Sequence, residues 1–269
     1  MSKFEGKRVL VTGGGSGIGK IMACEAARRG AEVFIWDISG ERAADVARII
    51  TEHGCKGHAY AVDVTSDERV AEAAAEVGNI DILINNAGVV SGRNLVDTTM
   101  ESVDRTLNVN LRSLFVVTRA FLPGLLERDE GTIVNVASAA GIVGVAQMTD
   151  YCASKFGAFG FTEALRNELR VSGSNVNTLL VCPYYISTGM FDGVKTRFPL
   201  LLPIMRPAHV ALRILDAIEC DKEQLVMPPF AATVPWMRFL PTPIFDAVND
   251  FFGVNRSMEN FSGRDGDRV

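Results

Sequence analysis

The chain has 269 residues, of which 48% are hydrophobic and 22% charged, a balance typical of a soluble globular protein. Its net charge of -5 argues against nucleic acid as a partner. The segment before the first predicted strand is short and polar, unlike a signal peptide. No uninterrupted apolar run has the length of a transmembrane segment. The five cysteines form no Cys-x-x-Cys pair and the three histidines have no metal-ligand spacing, so we expect a cytoplasmic protein without disulfides or a metal site.

The first predicted strand runs directly into a glycine-rich loop. Residues 7–12 include three consecutive apolar side chains, as in a strand buried on both faces, and a helix pattern follows the loop through Arg29. A strand, a glycine loop and a helix in this order point backbone N–H groups and the positive helix end at a phosphate. The glycine spacing departs from the usual G-x-G-x-x-G fingerprint. We expect a bound phosphate group to lie against Gly13, Ser16, Gly17, Ile18 and Gly19.

The second predicted strand, residues 32–37, ends in an acidic residue. Asp37 follows the glycine loop at about the spacing at which dinucleotide-binding folds place a carboxylate beside the adenosine ribose hydroxyls. A carboxylate at this position would repel the 2′-phosphate of NADP. The sequence therefore favours NAD as the cofactor.

Predicted strands and helices alternate along the chain. After residue 37 the pattern predicts helices over 40–52 and 67–77 and strands over 58–64 and 80–84. Such alternation predicts an α/β fold, a Rossmann-type doubly wound parallel sheet of about seven strands, which binds ligands at the carboxyl ends of its strands. Further candidate cofactor contacts follow the third and fourth strands: Asp63, Val64, Asn86, Ala87 and Gly88.

The second half continues the alternation and adds polar side chains at matching positions. The remaining predicted elements are a helix over 100–127, a strand over 131–138, a helix over 149–171, a strand over 175–182, a helix over 208–220 and a strand over 224–227. Asn110 lies in the first of these helices, and Ser138 ends the fifth strand of the predicted sheet.

The helix over residues 149–171 places Tyr151 and Lys155 one turn apart on the same face. A tyrosine hydroxyl alone is a poor base, because it is nearly always protonated at neutral pH. An ammonium group held close to it favours the phenolate and lowers the pKa of the tyrosine. The pair is therefore a candidate proton-transfer device. We do not expect the neighbouring Cys152 to be a nucleophile, since no histidine is near it in sequence.

Together these motifs resemble the short-chain dehydrogenase/reductase family in its compact form, over about residues 7–228. The motifs that carry the resemblance are Thr12-Gly13-x-x-x-Gly17-x-Gly19, Asn85-Asn86-Ala87-Gly88, Asn110, Ser138 and Tyr151-x-x-x-Lys155. The resemblance implies that Tyr151 is the general acid/base and that Ser138 hydrogen-bonds the substrate oxygen. It implies that Lys155 binds the nicotinamide ribose and lowers the pKa of Tyr151, and that Asn110 helps to hold a proton-relay water.

The resemblance also extends to the cofactor contacts, with two departures. It implies that Asp63 lies beside the adenine, that Thr188 contacts the nicotinamide carboxamide, and that Pro183 and Ile186 line the same site. The family often has Pro-Gly after the sixth strand, whereas here Tyr184 follows the proline, and its ring is expected to reshape the substrate pocket. The helix over residues 67–77 is also shorter than usual.

The resemblance implies an NAD(H)-dependent oxidoreductase that interconverts an alcohol and its ketone or aldehyde. A looser resemblance to the branch with retinol, hydroxysteroid and long-chain alcohol dehydrogenases implies an apolar substrate. One alternative is an acyl-thioester ketoreductase of lipid metabolism, which Asp37 opposes because such reductases usually use NADPH. Another is a catalytically silent nucleotide-binding regulator, which is expected to have lost one of Ser138, Tyr151 or Lys155.

We expect residues 1–269 to form one NAD-binding catalytic domain, with a substrate-loop segment over 184–207 and an apolar carboxyl-terminal tail over 230–269. The helices over 100–127 and 149–171 each have an apolar face larger than one sheet surface covers, which predicts a homodimer or homotetramer. The tail has many aromatic residues among its prolines, and exposed patches of that kind mark interaction surfaces. It could cover the substrate pocket, contact a subunit or touch a membrane. The acidic residues in its longest possible helix, 243–252, favour the first two.

Overall fold

The fold is built on a seven-stranded parallel sheet. The structure is a computed structural model that describes residues 3–263. Its strands are β1 (Arg8–Thr12), β2 (Glu32–Asp37), β3 (Lys56–Ala61), β4 (Ile82–Asn85), β5 (Thr132–Val136), β6 (Asn177–Pro183) and β7 (Gln224–Met227). They lie in the order β3-β2-β1-β4-β5-β6-β7, and all neighbouring strands are parallel. This arrangement confirms the predicted doubly wound α/β fold.

Helices connect successive strands and cover the two faces of the sheet. They are α1 (Gly17–Arg28), α2 (Gly40–Glu52), α3 (Asp67–Val77), α4 (Met100–Leu107), α5 (Ser113–Arg128), α6 (Thr149–Ser172), α7 (Pro207–Glu219), α8 (Val234–Met237) and α9 (Thr242–Phe252). Most bounds agree with the sequence-based prediction within two residues. The agreement reflects clear hydrophobic periods and capping residues, such as Ser39, whose side chain accepts a hydrogen bond from the Arg42 N–H at the start of α2.

Alternating side chains of the strands enter two separate hydrophobic cores. Val9 and Val11 of β1 face the core beneath α1, α2 and α7. Leu10, between them, faces the opposite core with α3, α5 and α6. Both faces of the central strands are therefore buried, which explains why their sequences are continuously apolar rather than alternating.

The third strand ends earlier than predicted. We expected a strand over residues 58–64, but β3 ends at Ala61. The Asp63 carboxylate accepts hydrogen bonds from the N–H and the hydroxyl of Thr65, at 2.9 and 2.7 Å, and these bonds turn the chain away from the sheet. Asp63 and Val64 consequently lie in the loop beyond the strand, on the carboxyl side of the sheet.

The predicted helix over residues 100–127 contains a π-helical turn. Residues Asn108–Arg112 form this turn between α4 and α5, and Asn110 is at its centre. A single π turn inside an α-helix adds a residue to the turn and is frequent at functional sites. Such a turn cannot be predicted from hydrophobic periodicity, because the apolar stripe continues on both sides of it.

Within residues 3–263, the stretch Met100–Arg128 is the one helical segment with the length and composition to cross a membrane. Its apolar face includes Val117, Phe121 and Leu125, which are buried in the core against the sheet. One face of the segment is therefore packed in the core, whereas Phe115 and Leu126 on the same segment are partly exposed.

The carboxyl-terminal tail folds back over the segment that follows β6. The hydroxyls of Tyr185 and Ser257 are hydrogen-bonded at 2.8 Å, and the Ser262 N–H donates to the Asp192 carbonyl at 2.9 Å. Met258 is almost fully buried. The described end of the tail is thus packed, whereas large side chains nearer its start, including Trp236 and Phe239, are exposed.

Candidate active site

A cleft of about 280 Å³ lies at the carboxyl ends of the strands. It brings together nearly all of the residues that the sequence assigned to a site. The predicted residues that line it are Gly13, Ser16, Gly17, Ile18, Asp37, Asp63, Val64, Asn86, Ala87, Gly88, Ser138, Tyr151, Lys155, Pro183, Ile186 and Thr188. Two predicted residues, Gly19 and Asn110, lie behind its wall and do not line it.

The glycine loop forms a cradle at one end of the cleft. Gly13 has a φ of +62°, and a Cβ there would lie 3.0 Å from Cα of Ala87, so this position requires glycine. Helix α1 begins at Gly17, and the Ser16 side chain makes no capping hydrogen bond, so it leaves the first N–H groups of the helix to a ligand. A close backbone approach and an uncapped helix end fit the pyrophosphate of a dinucleotide.

Gly19 does not line the cleft but packs closely against the loop, where a Cβ would clash first with the carbonyl oxygen of Gly13. A Cβ at Gly19 would lie 2.6 Å from Nδ2 of Asn86. That amide donates hydrogen bonds to the carbonyl oxygens of Thr12 and Gly13, at 3.0 and 3.2 Å. The third glycine of the motif therefore lets Asn86 hold the loop in place, which is a packing role.

Asp37 is buried at the point where β2 meets the cleft, and three groups fix its carboxylate. Oδ2 accepts from the Gly15 N–H at 2.9 Å, and Oδ1 accepts from the Ser39 N–H at 3.0 Å. Oδ1 also accepts from Nη2 of Arg42 at 3.0 Å. Arg42 is half exposed and lines the same cleft, so a cation stands directly beside the carboxylate. Arg42 is a residue of the cleft that was not predicted from the sequence.

Tyr151 and Lys155 occupy the middle of the cleft, and burial affects both. Burial raises the pKa of Tyr151 well above its usual range, while a hydrogen bond with Ser138 acts in the opposite direction. Burial lowers the pKa of Lys155 to about 8, so its ammonium remains mostly protonated at neutral pH. Nζ of Lys155 donates to the Val136 carbonyl at 2.9 Å and lies 5.6 Å from the centroid of the Tyr151 ring.

The expectation that lysine lowers the pKa of Tyr151 is therefore not met by the protein alone. Desolvation of the phenolate outweighs the other influences on Tyr151 when the cleft holds only protein groups. The ammonium of Lys155 is also held by a backbone carbonyl rather than by the tyrosine oxygen. The arrangement places the Tyr151 hydroxyl beside a buried cation, with Ser138 as its hydrogen-bonding neighbour.

Ser138 and Asn110 are fixed by backbone contacts. The Ser138 hydroxyl accepts from the Ala140 N–H at 3.1 Å at the start of a short 3₁₀ turn. The Asn110 side chain accepts from the Val89 N–H at 2.8 Å and donates to the Val89 carbonyl at 2.9 Å and to the Ser154 hydroxyl at 3.0 Å. Both amide donors of Asn110 are thus used, so its side chain joins the strand-four loop to α6.

A second, apolar cavity adjoins the cleft, and we call it the substrate chamber. Ser138, Tyr184 and Phe191 line both spaces, so the two adjoin at these residues. Other residues that line the chamber are Ala139, Ala140, Ile142, Val143, Val145, Met148, Tyr185, Leu202, Phe230, Ala231, Val234, Met237, Asn249, Phe252 and Val254. The tail thus forms one wall of the chamber.

The substrate chamber has a volume of about 50 Å³. That is well below the roughly 150 Å³ of an apolar cavity that holds benzene. Aromatic side chains contribute to its lining, among them Phe191, whose ring centroid lies 5.9 Å from that of Tyr151. Tyr184, which follows Pro183 where the family often has glycine, also lines the chamber.

Cysteine and metal chemistry have little support among the residues that the structure describes. Burial raises the pKa of the Cys152 thiol, which disfavours the thiolate needed for nucleophilic attack. No group of three or more His, Cys, Asp or Glu side chains in residues 3–263 could hold a metal ion.

Known proteins share both the sequence pattern and the fold. A model of the short chain dehydrogenase family matches residues 7–197. Short-chain dehydrogenase/reductase family 16C member 6 of Bos taurus is 41% identical, over 97% of this chain and 84% of that protein. Epidermal retinol dehydrogenase 2 of Mus musculus is 38% identical, over 96% of this chain and 86% of that protein.

Solved structures agree with these relatives. A short chain dehydrogenase/reductase from Burkholderia phymatum, in complex with NAD, has a TM-score of 0.79 and 26% identity over 89% of this chain and 95% of its own. A metagenomic short-chain oxidoreductase, in complex with NADP, has a TM-score of 0.70 and 27% identity over 84% of this chain and 97% of its own. The chain belongs to the short-chain dehydrogenase/reductase family, and it is an oxidoreductase that interconverts an alcohol and its carbonyl compound.

Proposed function

We propose that the protein oxidises a large apolar alcohol, of the retinoid, steroid or long-chain class, with NAD. The observation that carries this proposal is the junction at Ser138, where a polar cleft with Tyr151 and Lys155 opens into the substrate chamber. The carbinol group of the alcohol would lie at that junction, and its hydrocarbon part would fill the chamber. The names of the retinol dehydrogenase relatives agree with a substrate of this shape.

The side chains at the junction suit removal of the hydroxyl proton. Ser138 would orient the substrate oxygen, and Tyr151 in its phenolate form would accept the proton from it. Lys155 would stabilise that phenolate through its ammonium charge, and Asn110 would fix the loop beside it. When bound, NAD supplies the acceptor for the hydride. The glycine loop, Asn86, Ala87, Gly88, Pro183, Ile186 and Thr188 would hold the cofactor in the orientation that this transfer needs.

Two neighbouring charges influence the choice between NAD and NADP. The Asp37 carboxylate favours the ribose hydroxyls of NAD and repels a 2′-phosphate, whereas the Arg42 guanidinium beside it favours the phosphate. The carboxylate is buried and fixed by three hydrogen bonds, and it holds the arginine. We therefore propose that Asp37 dominates and that NAD is preferred.

We expect the substitution Asp37→Ala to reduce the preference for NAD over NADP strongly. Removing the carboxylate eliminates the repulsion and the ribose hydrogen bonds, and it frees Arg42 to bind the 2′-phosphate. The ratio of kcat/KM for NAD to that for NADP should fall by about 10- to 100-fold, since a hydrogen bond to a charged group contributes about 1.5–3 kcal/mol. Steady-state kinetics with each cofactor at a fixed alcohol concentration measure the ratio.

The double substitution Asp37→Ala/Arg42→Ala is the matched control for this experiment. It should lose the gain in NADP use, because the guanidinium that binds the phosphate is then absent. Comparable kcat/KM values for the two cofactors in the unmodified protein would contradict the assignment of Asp37.

The proposed activity is tested with a panel of alcohols. Aliphatic, steroidal and retinoid alcohols are incubated with NAD, and the reduced cofactor is followed by its absorbance. We expect turnover to increase with the apolar size of the alcohol. If no alcohol is oxidised but acyl-thioester ketones are reduced with NADPH, the ketoreductase alternative replaces this proposal. If neither reaction occurs although dinucleotide binds, the proposed substrate class is wrong.

We propose that the whole chain acts as one catalytic domain and that its copies assemble as a homodimer or homotetramer. Phe115 of α5 is half exposed, and its ring centroid lies 4.5 Å from that of Phe161 of α6. Such an apolar pair on two adjacent helices suits a contact with a second subunit. Light scattering should give a mass of two or four chains, and Phe115→Glu should shift it toward one. A monomeric mass for the unmodified protein would argue against the assembly.

We also propose a cytoplasmic location without a transmembrane segment. The helical stretch Met100–Arg128 supports this because its apolar face is used in the core. The exposed side chains of Trp236 and Phe239 favour the alternative of contact with a membrane surface. Flotation of the intact protein with liposomes distinguishes the two, since a cytoplasmic protein stays with the unbound fraction.

A further inference from the structure

A buried amide borders the otherwise hydrocarbon wall of the substrate chamber. Among the described residues that line the chamber, four have polar groups in their side chains, namely Ser138, Tyr184, Tyr185 and Asn249. Ser138 and Tyr184 also line the cofactor cleft. The Tyr185 hydroxyl is hydrogen-bonded to the Ser257 hydroxyl at 2.8 Å. Asn249 is the polar residue of this set that belongs to the chamber alone and has no such partner.

Asn249 lies on α9 and is 6% exposed. Its side-chain amide makes no hydrogen bond to another residue within the described range 3–263. The side-chain polar atoms that are fully enclosed and unpaired in that range are Nε1 of Trp36, Oδ2 of Asp150 and Oγ1 of Thr178. Since the Asn249 amide is not among them, its atoms retain contact with open space. The residue is buried, and the cavity that it lines is the chamber.

Burying an amide in this position costs free energy unless a ligand provides its hydrogen-bond partner. An amide that leaves water without forming a new hydrogen bond loses its interactions with water uncompensated. A hydrocarbon substrate that fills the chamber would remove the remaining water from the amide and leave this cost in place. A substrate with an oxygen atom at the same point would satisfy the amide, because a primary amide can both donate and accept.

We propose that Asn249 is a specificity residue, which hydrogen-bonds a second oxygen of the substrate, remote from the carbon that reacts. The inference rests on the proposed function and narrows its substrate class to apolar alcohols that carry a second hydroxyl, carbonyl or ether oxygen. The reacting oxygen lies at the junction with Ser138, whereas Asn249 does not line the cofactor cleft. The two oxygens must therefore be separated by a hydrocarbon part that lies against Val143, Val234 and Phe252.

The test compares substrates that share the reacting end and differ at the remote end. Retinol and 4-oxoretinol form one pair, and 1-undecanol and 9-methoxynonan-1-ol form a second pair with equal numbers of heavy atoms. In the unmodified protein, the oxygenated member of at least one pair should have the higher kcat/KM. The substitution Asn249→Leu should lower kcat/KM for that member by about tenfold, mainly through KM, and leave the hydrocarbon member unchanged or improved.

The substitution Asn255→Leu is the matched control. It makes the same chemical change on the same tail, but the Asn255 amide is hydrogen-bonded to Asp250 on the outside of the protein and does not line the chamber. It should leave the ratio within each pair unchanged. If Asn249→Leu lowers the melting temperature, Asn249→Ala provides the same comparison with a smaller side chain.

The possible outcomes distinguish a failure of the role assigned to Asn249 from a failure of the proposed function. Equal effects of the Asn249 substitutions on both members of each pair, or no preference for an oxygenated member in the unmodified protein, would overturn the role of Asn249. Oxidation of the hydrocarbon members would still support the proposed function in that case. Failure of the unmodified protein to oxidise any member of either pair would overturn both.

Discussion

The substitution Tyr151→Phe should reduce alcohol oxidation by about 10³-fold while leaving NADH binding nearly unchanged. It removes the one oxygen that would accept the substrate proton, and positioned general bases contribute about 10²–10⁴-fold to a rate. The ring of Tyr151 and its contact with Phe191 at 5.9 Å remain possible in the variant, so the packing of the site is preserved. Turnover kinetics and a fluorescence titration with NADH measure the two quantities separately.

Tyr60→Phe is the matched control for that experiment. Tyr60 lies on β3 beside Phe34, with ring centroids 6.4 Å apart, and does not line the cleft. The control should keep full activity and show that loss of a hydroxyl elsewhere is tolerated. Substantial oxidation by Tyr151→Phe would mean that another group accepts the proton.

Substitution of Lys155 should damage both catalysis and cofactor binding. Its ammonium lies beside the ring of Tyr151 and lines the same cleft as the glycine loop, so we expect one charge to serve both the tyrosine and the ribose. We expect Lys155→Ala to lower kcat by about 10²-fold or more and to weaken NADH binding by about tenfold. The two losses are measured by steady-state kinetics and by titration with NADH.

Lys155→Met separates charge from packing, because methionine fills most of the space of the lysine chain. It should reproduce both losses if the charge is responsible. Burial lowers the pKa of Lys155 to about 8, so the unmodified protein itself loses the ammonium as the pH rises above that value. The difference in NADH affinity between the unmodified protein and Lys155→Met should therefore shrink above pH 8. A difference that stays constant from pH 6 to pH 10 would contradict a role for the charge.

The sheet and most of its ligand-binding edge were predictable from sequence because each signal is local. The glycine loop, Asp37 at the end of β2 and Tyr151 one turn from Lys155 are encoded by neighbours along the chain. The parallel topology then brings the strand ends to one edge, where the predicted residues line one cleft. Consecutive apolar residues and helix caps gave most element bounds within two residues.

Features that depend on distant contacts could not be predicted in this way. The carboxylate of Asp63 turns the chain at the end of β3, and the π turn holds Asn110, whose side chain is hydrogen-bonded to the distant loop at Val89. Gly19 lies behind the loop because Asn86, far along the chain, occupies the space beside it. Arg42 could have been suspected as a basic residue one helical turn after Asp37, but only the fold shows that the two are paired.

The tail was the least predictable part of the chain. Its composition indicated a buried or interacting surface without identifying the partner. In the structure Phe230, Val234, Met237 and Phe252 line the substrate chamber, and closure of the pocket or of a neighbouring subunit by the tail stays a prediction. Trp236 and Phe239 remain exposed, so the same short segment also has an outer apolar surface. Prolines divide the segment into short pieces whose inner and outer faces no sequence period reveals.

The central claim is that Tyr151 and its neighbours remove the proton of an apolar alcohol as its carbinol hydrogen passes to NAD. The most direct measurement is a single turnover with retinol or 1-undecanol deuterated at the carbinol carbon, followed by mass analysis of the reduced cofactor. We predict that deuterium from the alcohol appears in NADH, with a primary isotope effect on the unmodified protein and no detectable transfer with Tyr151→Phe. Tight binding of NADH without deuterium transfer from either alcohol, or equal transfer by Tyr151→Phe, would contradict the account.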